Sequence, residues 1–169
     1  MRSKQVAIAA TLLLSLGIAK TDAAEVAYPQ QAPQFTIDVP ETWKPVFRGD
    51  SLTLLPIPED GFLIQVNEQP ADAEDLLAEL TKKVAAQMQL TDLKLGEDSE
   101  AENQHDVDCT MMTSTGSSAG VNVVITVAAF TLEDDRHFTI QSAGPAELNQ
   151  KHKGALLGII DSIKPVEAE

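Results

Sequence analysis

No disulfide framework can hold this chain, because Cys109 is its only cysteine. It alternates with Val107 and Met111, a spacing that places all three on one strand face, and a lone thiol so placed is expected to be buried rather than reactive. Basic residues are also scarce, at 12 Lys and Arg against 26 Asp and Glu, for a net charge of −14. Arg2, Lys4 and Lys20 all fall near the N-terminus, so the remainder is more acidic still. Such a surface is repelled by nucleic acid and by anionic lipid, and is steered toward cations and basic proteins. Long hydrophobic runs are missing too. The uncharged stretch from Val6 to Ile18 is about 13 residues, short of the roughly 20 that a membrane-spanning helix needs.

That stretch follows Arg2 and Lys4 and leads to small residues suited to a peptidase site at Thr21 and Ala23 or at Gly17 and Ala19, the pattern of a secretory signal peptide. We assign residues 1–23 to a cleavable signal, with the periplasm as destination and secretion as the alternative. No cysteine stands at the expected new N-terminus, so no lipid anchor and no integral membrane segment are expected in the mature chain. Residues 24–34, rich in Pro, Gln and Ala and without periodicity, read as a flexible arm. Residues 35–166 are the size of one domain able to bury a core without disulfides, and 167–169 form a tail.

Within the domain, Phe35, Ile37 and Val39 alternate with polar residues up to Pro40, the mark of a half-buried strand. Strand patterns recur at Ser51–Leu55 and Phe62–Asn67. The period then changes: Leu76, Leu77, Leu80, Val84 and Met88 define an amphipathic helix of about 17 residues from an N-cap at Asp72, with Glu74 and Asp75 in its first turn. Four strands follow, at Leu93–Leu95, Val107–Thr113, Val121–Leu132 and His137–Ala143, the third rich enough in β-branched residues to be central. A last helix opens near Pro145 and carries Leu148, Ala155, Leu156, Ile159, Ile160 and Ile163 before Pro165. Gly154 and Gly158 lie inside it, which predicts close packing on the sheet. Strands grouped apart from helices indicate an α+β fold, an antiparallel sheet flanked by two amphipathic helices.

Three residue groups invite a chemical reading. Gly116-Ser117-Ser118-Ala119-Gly120 matches the serine-hydrolase elbow, but that motif requires a helix after it, and a strand pattern follows here. His105, His137 and His152 have no metal-ligand neighbours at the spacing a transition metal requires. Carboxylates gather at Glu97, Asp98, Glu100, Glu102, Asp106 and Asp108, and again at Glu133, Asp134 and Asp135. Calcium is compatible with such loops but is not indicated by a motif, since the D-x-D-x-D-G loop and its distant Glu are absent, and no cofactor is expected. Apart from Asp108, these carboxylates are the candidate contacts for a basic protein surface. No nucleophile, base and oxyanion donor can be assembled from these residues, so the chain is read as non-enzymatic. A carrier of an apolar small ligand or lipid, held between the last helix and the sheet, is the alternative.

The stretch Phe35-Thr36-Ile37-Asp38-Val39-Pro40-Glu41-Thr42-Trp43, the helix entry Glu74-Asp75-Leu76-Leu77, and His137-Phe138-Thr139-Ile140-Gln141 leading to Ile159-Ile160-Asp161-Ser162-Ile163 resemble the PsbP and Mog fold superfamily. Within it they are most similar to the DcrB-related periplasmic proteins, over about Phe35 to Val166. The resemblance implies an α/β/α sandwich and non-enzymatic protein binding, as in an extrinsic photosystem subunit, a GTPase-binding factor, effector chaperones of type VI secretion and envelope accessory proteins. It also suits an immunity protein against a type VI secreted toxin. Fold alone transfers none of these functions.

Overall fold

A computed structural model describes residues 22–70, 75–132 and 135–166. The expected signal segment up to residue 21, the expected helix cap Asp72 and the tail 167–169 lie outside the described residues.

The longest strands set the frame. β8 (Asp108–Ser118) and β9 (Val121–Thr131) form a hairpin with Ser118 opposite Val121. Ala119 and Gly120 close it at φ 50° and 81°, the doubly left-handed conformation that matches strand twist in a two-residue turn. β9 then pairs with β10 (His137–Pro145), β10 with β5 (Ile64–Gln69), and β5 with β4 (Ser51–Pro56), which carries β3 (Trp43–Arg48) at the far edge. All these pairings are antiparallel. On the other side of β8 lie β6 (Thr91–Lys94), beside its C-terminal half, and β7 (Asp98–Glu102), beside its start. Gly96 joins the two where the edge chain runs tight against β8: a Cβ there would stand 2.1 Å from the Thr113 carbonyl oxygen. Glycine is required by the close approach, not by its φ.

Side chains on β9 alternate between two cores, as a strand covered on both faces must. Val123, Ile125 and Val127 meet α1 (Leu76–Gln87) together with Met112. Ala128 and Phe130 meet the opposite core, which holds Leu156, Ile159 and Ile163 from α2 (Ala146–Asp161) and its exit. That second face is also covered by a small three-stranded sheet, β1 (Ala23–Tyr28), β2 (Phe35–Pro40) and β11 (Lys164–Pro165), with β2 in the middle. The α+β class read from the sequence is the observed one.

Several expectations are corrected. The arm at 24–34 is not a free tether throughout: Ala23–Tyr28 is a strand paired with β2 from Ala23–Pro40 to Tyr28–Phe35. A partner strand supplies the order that its own irregular sequence does not specify, and Tyr28 is buried at its end. β3, β7 and β11 also carry no recognisable strand pattern. In β3, Pro45 sits on an edge strand, where a missing N–H is tolerated. α1 spans 12 residues and starts after Asp75, whose φ of 60° is left-handed and whose side chain makes no cap. Its most deeply buried face is Leu77, Thr81 and Ala85 rather than the larger apolar residues flanking them.

Gly154 and Gly158 do not pack on the sheet. Both point outward from α2, and a Cβ built on either meets nothing within 4 Å. Each therefore costs about 1 kcal/mol of helix stability relative to alanine with no packing to offset it. Gly154→Ala and Gly158→Ala are each expected to raise stability by about that amount, read as a higher urea midpoint at unchanged slope.

Candidate functional site

The carboxylates singled out from sequence are not all loop residues. Asp98, Glu100 and Glu102 share one face of β7, and Glu102 lies directly opposite Asp108 on β8. Glu97 precedes the strand, and Asp106 occupies the β7–β8 turn at φ 60°. Asp135 sits in the β9–β10 turn at φ 58°; Glu133 and Asp134 lie outside the described residues. Because Cys109 pairs with Phe130 and Thr131 with His137, the β7–β8 and β9–β10 turns emerge at the same end of the sheet. They stand two strand spacings apart, roughly 10 Å. Glu97, Asp98, Glu100, Glu102, Asp106, Asp108 and Asp135 are all exposed, and none takes part in an ion pair among the described residues.

Like charges facing each other across a strand pair are unfavourable, so Glu102 and Asp108 work against the stability of their own hairpin. Part of their value is negative: carboxylates along β7 discourage a second strand from adding to this edge. Arg136, the basic residue of the neighbouring turn, is already engaged. It forms a two-pronged pair with Glu68, Nε to Oε1 at 2.8 Å and Nη2 to Oε2 at 2.7 Å, and its guanidinium lies 5.4 Å from the centre of the Phe138 ring. The pairing holds the Glu68 carboxyl below the ordinary carboxylate range.

The turn that presents Asp106 is anchored by a residue the sequence did not single out. Asn103 is buried; its Oδ1 accepts from the backbone N–H groups of His105 at 2.9 Å and Val107 at 3.0 Å. Its Nδ2 donates to the carbonyl of Ile163 at 2.8 Å and, more weakly, to that of Ile160 at 3.4 Å. The Gln104 N–H adds a bond to Asp161 Oδ1 at 3.2 Å. The acidic turn is thereby tied to the C-terminal end of α2 and the residues just past it. An Asx turn at Asn103 is legible in sequence; its bond to a helix some sixty positions away is not.

The remaining chemistry-bearing residues are structural. Ser118, the serine of the G-x-S-x-G match, lies in the β8–β9 hairpin and donates to the Met88 carbonyl at 3.2 Å; no helix follows it. Cys109 is buried, and its thiol is pushed up to about 11, first by burial and then by the Asp108 and Asp161 carboxylates, so it stays protonated and unreactive at neutral pH. His152, on α2, meets Asp60 at 2.8 Å, stacks on Phe62 at 4.9 Å and abuts Trp43 at 5.1 Å. Lys151 reaches the same Asp60 oxygen at 2.7 Å. The Lys151 ammonium first, and His152 second, hold the Asp60 carboxyl well below its usual range. This cluster pins the β4–β5 loop to α2, and Trp43 is a core corner rather than a surface anchor. Among the described residues no three His, Cys, Asp or Glu side chains converge as metal ligands, and no helix is long and apolar enough to cross a membrane.

The architecture of two helices on opposite faces of one large antiparallel sheet, with a small sheet beside the second helix, recurs in solved structures. PsbP (CyanoP) of Synechocystis sp. PCC 6803 superposes at a TM-score of 0.62, with 10% identity over 89% of this chain and 96% of that one. The chain has the PsbP/Mog-like fold. The Ran-binding protein Mog1p of Saccharomyces cerevisiae matches at 0.59, with 14% identity over 87% of this chain and 97% of that one. LpqN, involved in cell envelope biogenesis of Mycobacterium tuberculosis, matches at 0.56, with 11% identity over 86% and 91%. No protein-family model and no curated protein matches the sequence. At these identities the PsbP/Mog-like likeness is one of backbone.

Proposed function

We propose that this protein is a DcrB-like, non-catalytic accessory factor of the bacterial periplasm, exported by its N-terminal signal, that binds a protein with a basic surface through the acidic end of its sheet. The carrying observation is that Glu102, Asp106 and Asp108, at a turn anchored by Asn103, share one end of the sheet with Asp135 of the neighbouring turn, with no ion pair to any of them among the described residues. A pre-ordered, unneutralised patch attracts a cationic partner at long range and loses little freedom on binding. Ran binding by Mog1p and the involvement of LpqN in cell envelope biogenesis are in keeping with such use of this fold. In its sharpest form the partner is a toxin delivered to the periplasm by type VI secretion, and this protein is the immunity factor that neutralises it.

The test is capture from a periplasmic extract at low and at high salt. A partner retained at 50 mM and released at 500 mM salt is expected, because exposed charges are screened within about 10 Å at 0.1 M salt. The triple charge reversal Glu100→Lys, Glu102→Lys and Asp106→Lys, at exposed positions, is expected to abolish retention while leaving the melting curve cooperative. If nothing is retained at low salt, or the reversed variant retains the same partner, the acidic end is not the docking surface.

A further inference from the structure

Along the middle of the β8–β9 hairpin the α2 face of the sheet is not fully covered. An open groove of about 290 Å³ runs between α2 and the two strands, with room for roughly ten water-sized groups at ~30 Å³ each. Met111 and Val124 form its floor and Leu156 and Leu157 its helical wall. Ala146 and Val124 also line a second groove of about 560 Å³ that reaches Lys94 and Asp92 on β6.

One wall residue has an unmet demand. Asn149 lines the groove, is 8% exposed, and its Nδ2 is buried without a hydrogen-bond partner. Ser142 Oγ is also buried and unpartnered, but it is not on the groove lining. Buried donors left unpaired are rare and costly, about 1–3 kcal/mol each, and call for an occupant.

The charge around the groove is the reverse of the rest of the molecule. Acids outnumber bases 26 to 12 in the chain, yet Lys153 and Lys94 line these grooves against Asp92 alone. Ala146, which lines both, is the first residue of α2, and no side chain caps that helix N-terminus. Glu147, in its first turn, already offsets part of the positive end of that helix. The Asn149 donor and the Lys153 cation are set beside an apolar floor.

We propose that this groove binds a small amphipathic carboxylate, with its head group at Asn149 and Lys153 and its alkyl chain along Met111, Val124, Leu156 and Leu157. The site is independent of protein docking at the acidic end, and either can fail without the other. Calorimetric titration of the mature protein with decanoate at pH 8, below its micellar concentration, tests it, with decanol as the uncharged control. Saturable one-to-one binding of decanoate is expected, with decanol about tenfold weaker. Asn149→Leu is expected to weaken decanoate about tenfold, the loss of one hydrogen bond to a charged group. Lys153→Glu, at an exposed position that leaves folding intact, is expected to weaken it at least fivefold and decanol hardly at all. Absence of saturable decanoate binding, equal affinity for decanol, or Lys153→Glu binding decanoate like the parent protein overturns the proposal.

Discussion

Asn103→Ala is expected to destabilise the protein by about 2–3 kcal/mol, the cost of leaving several buried backbone groups without partners. The residue is 9% exposed and serves two N–H donors on one side and the Ile160 and Ile163 carbonyls on the other. Alanine removes both sets of bonds at a point water cannot readily reach. In a domain of this size the loss corresponds to a fall in melting temperature of roughly 5–12 °C. Asn103→Asp separates the two halves of the role, since it keeps the acceptor for His105 and Val107 but cannot donate to α2. It also adds a buried charge facing carbonyls, so it is expected to be at least as damaging as alanine at neutral pH. Urea unfolding of both variants measures this. If either variant unfolds with the parent's midpoint, the bond between the acidic turn and α2 contributes nothing to the native state.

Phe35→Ala carries the largest expected loss, about 3–5 kcal/mol, the range for removing a fully buried aromatic ring. Phe35 is 0% exposed and belongs to the small sheet, while Phe130 and Phe138 belong to the large one. Its ring sits 5.1 Å from Phe130, 5.0 Å from Phe138 and 5.6 Å from Tyr28, edge-on or tilted, as aromatic quadrupoles prefer. With aromatic residues making up only 4% of the chain, these four rings are a large share of the available payload. The cavity left by alanine opens between the two sheets, so β1, β2 and β11 lose their hold on the larger sheet. Phe35→Leu, which refills most of the volume, is expected to recover more than half of the lost stability in the same urea measurement. Equal losses for Ala and Leu would instead mean that the specific ring contacts, and not the filled volume, hold the sheets together.

Local patterns were sufficient where burial follows a simple period. β2, β4, β9, β10 and the body of both helices could be placed from alternation or from three-and-four spacing, because one face of each meets a core. β1, β7 and β11 could not. All five residues of β7 are exposed, so no hydrophobic alternation marks it, and its strand conformation comes from hydrogen bonds to β8 alone. The two glycines of α2 misled for a related reason: a sequence position shows that a side chain is missing, not whether a neighbour occupies the space.

The candidate surface divides in the same way. Its composition was evident, since adjacent carboxylates need no folding to be recognised as unneutralised charge. Their assembly was not, because the β8–β9 register decides which turns share an end of the sheet, and that register is set by cross-strand pairing over eleven-residue strands. Asn149 and Asn103 look alike in sequence, both polar residues in polar surroundings. Only the packed structure distinguishes one whose donors are satisfied from one whose Nδ2 has none.

By itself, the amino-acid order determined the class of fold, the acidic character and the grouping of strands and helices, because burial period and net charge are additive properties of a chain. The tertiary structure alone decided which charges share an end, which glycines face water and which buried amide is left unpaired. Those are properties of distances between residues far apart in sequence, and no local pattern encodes them.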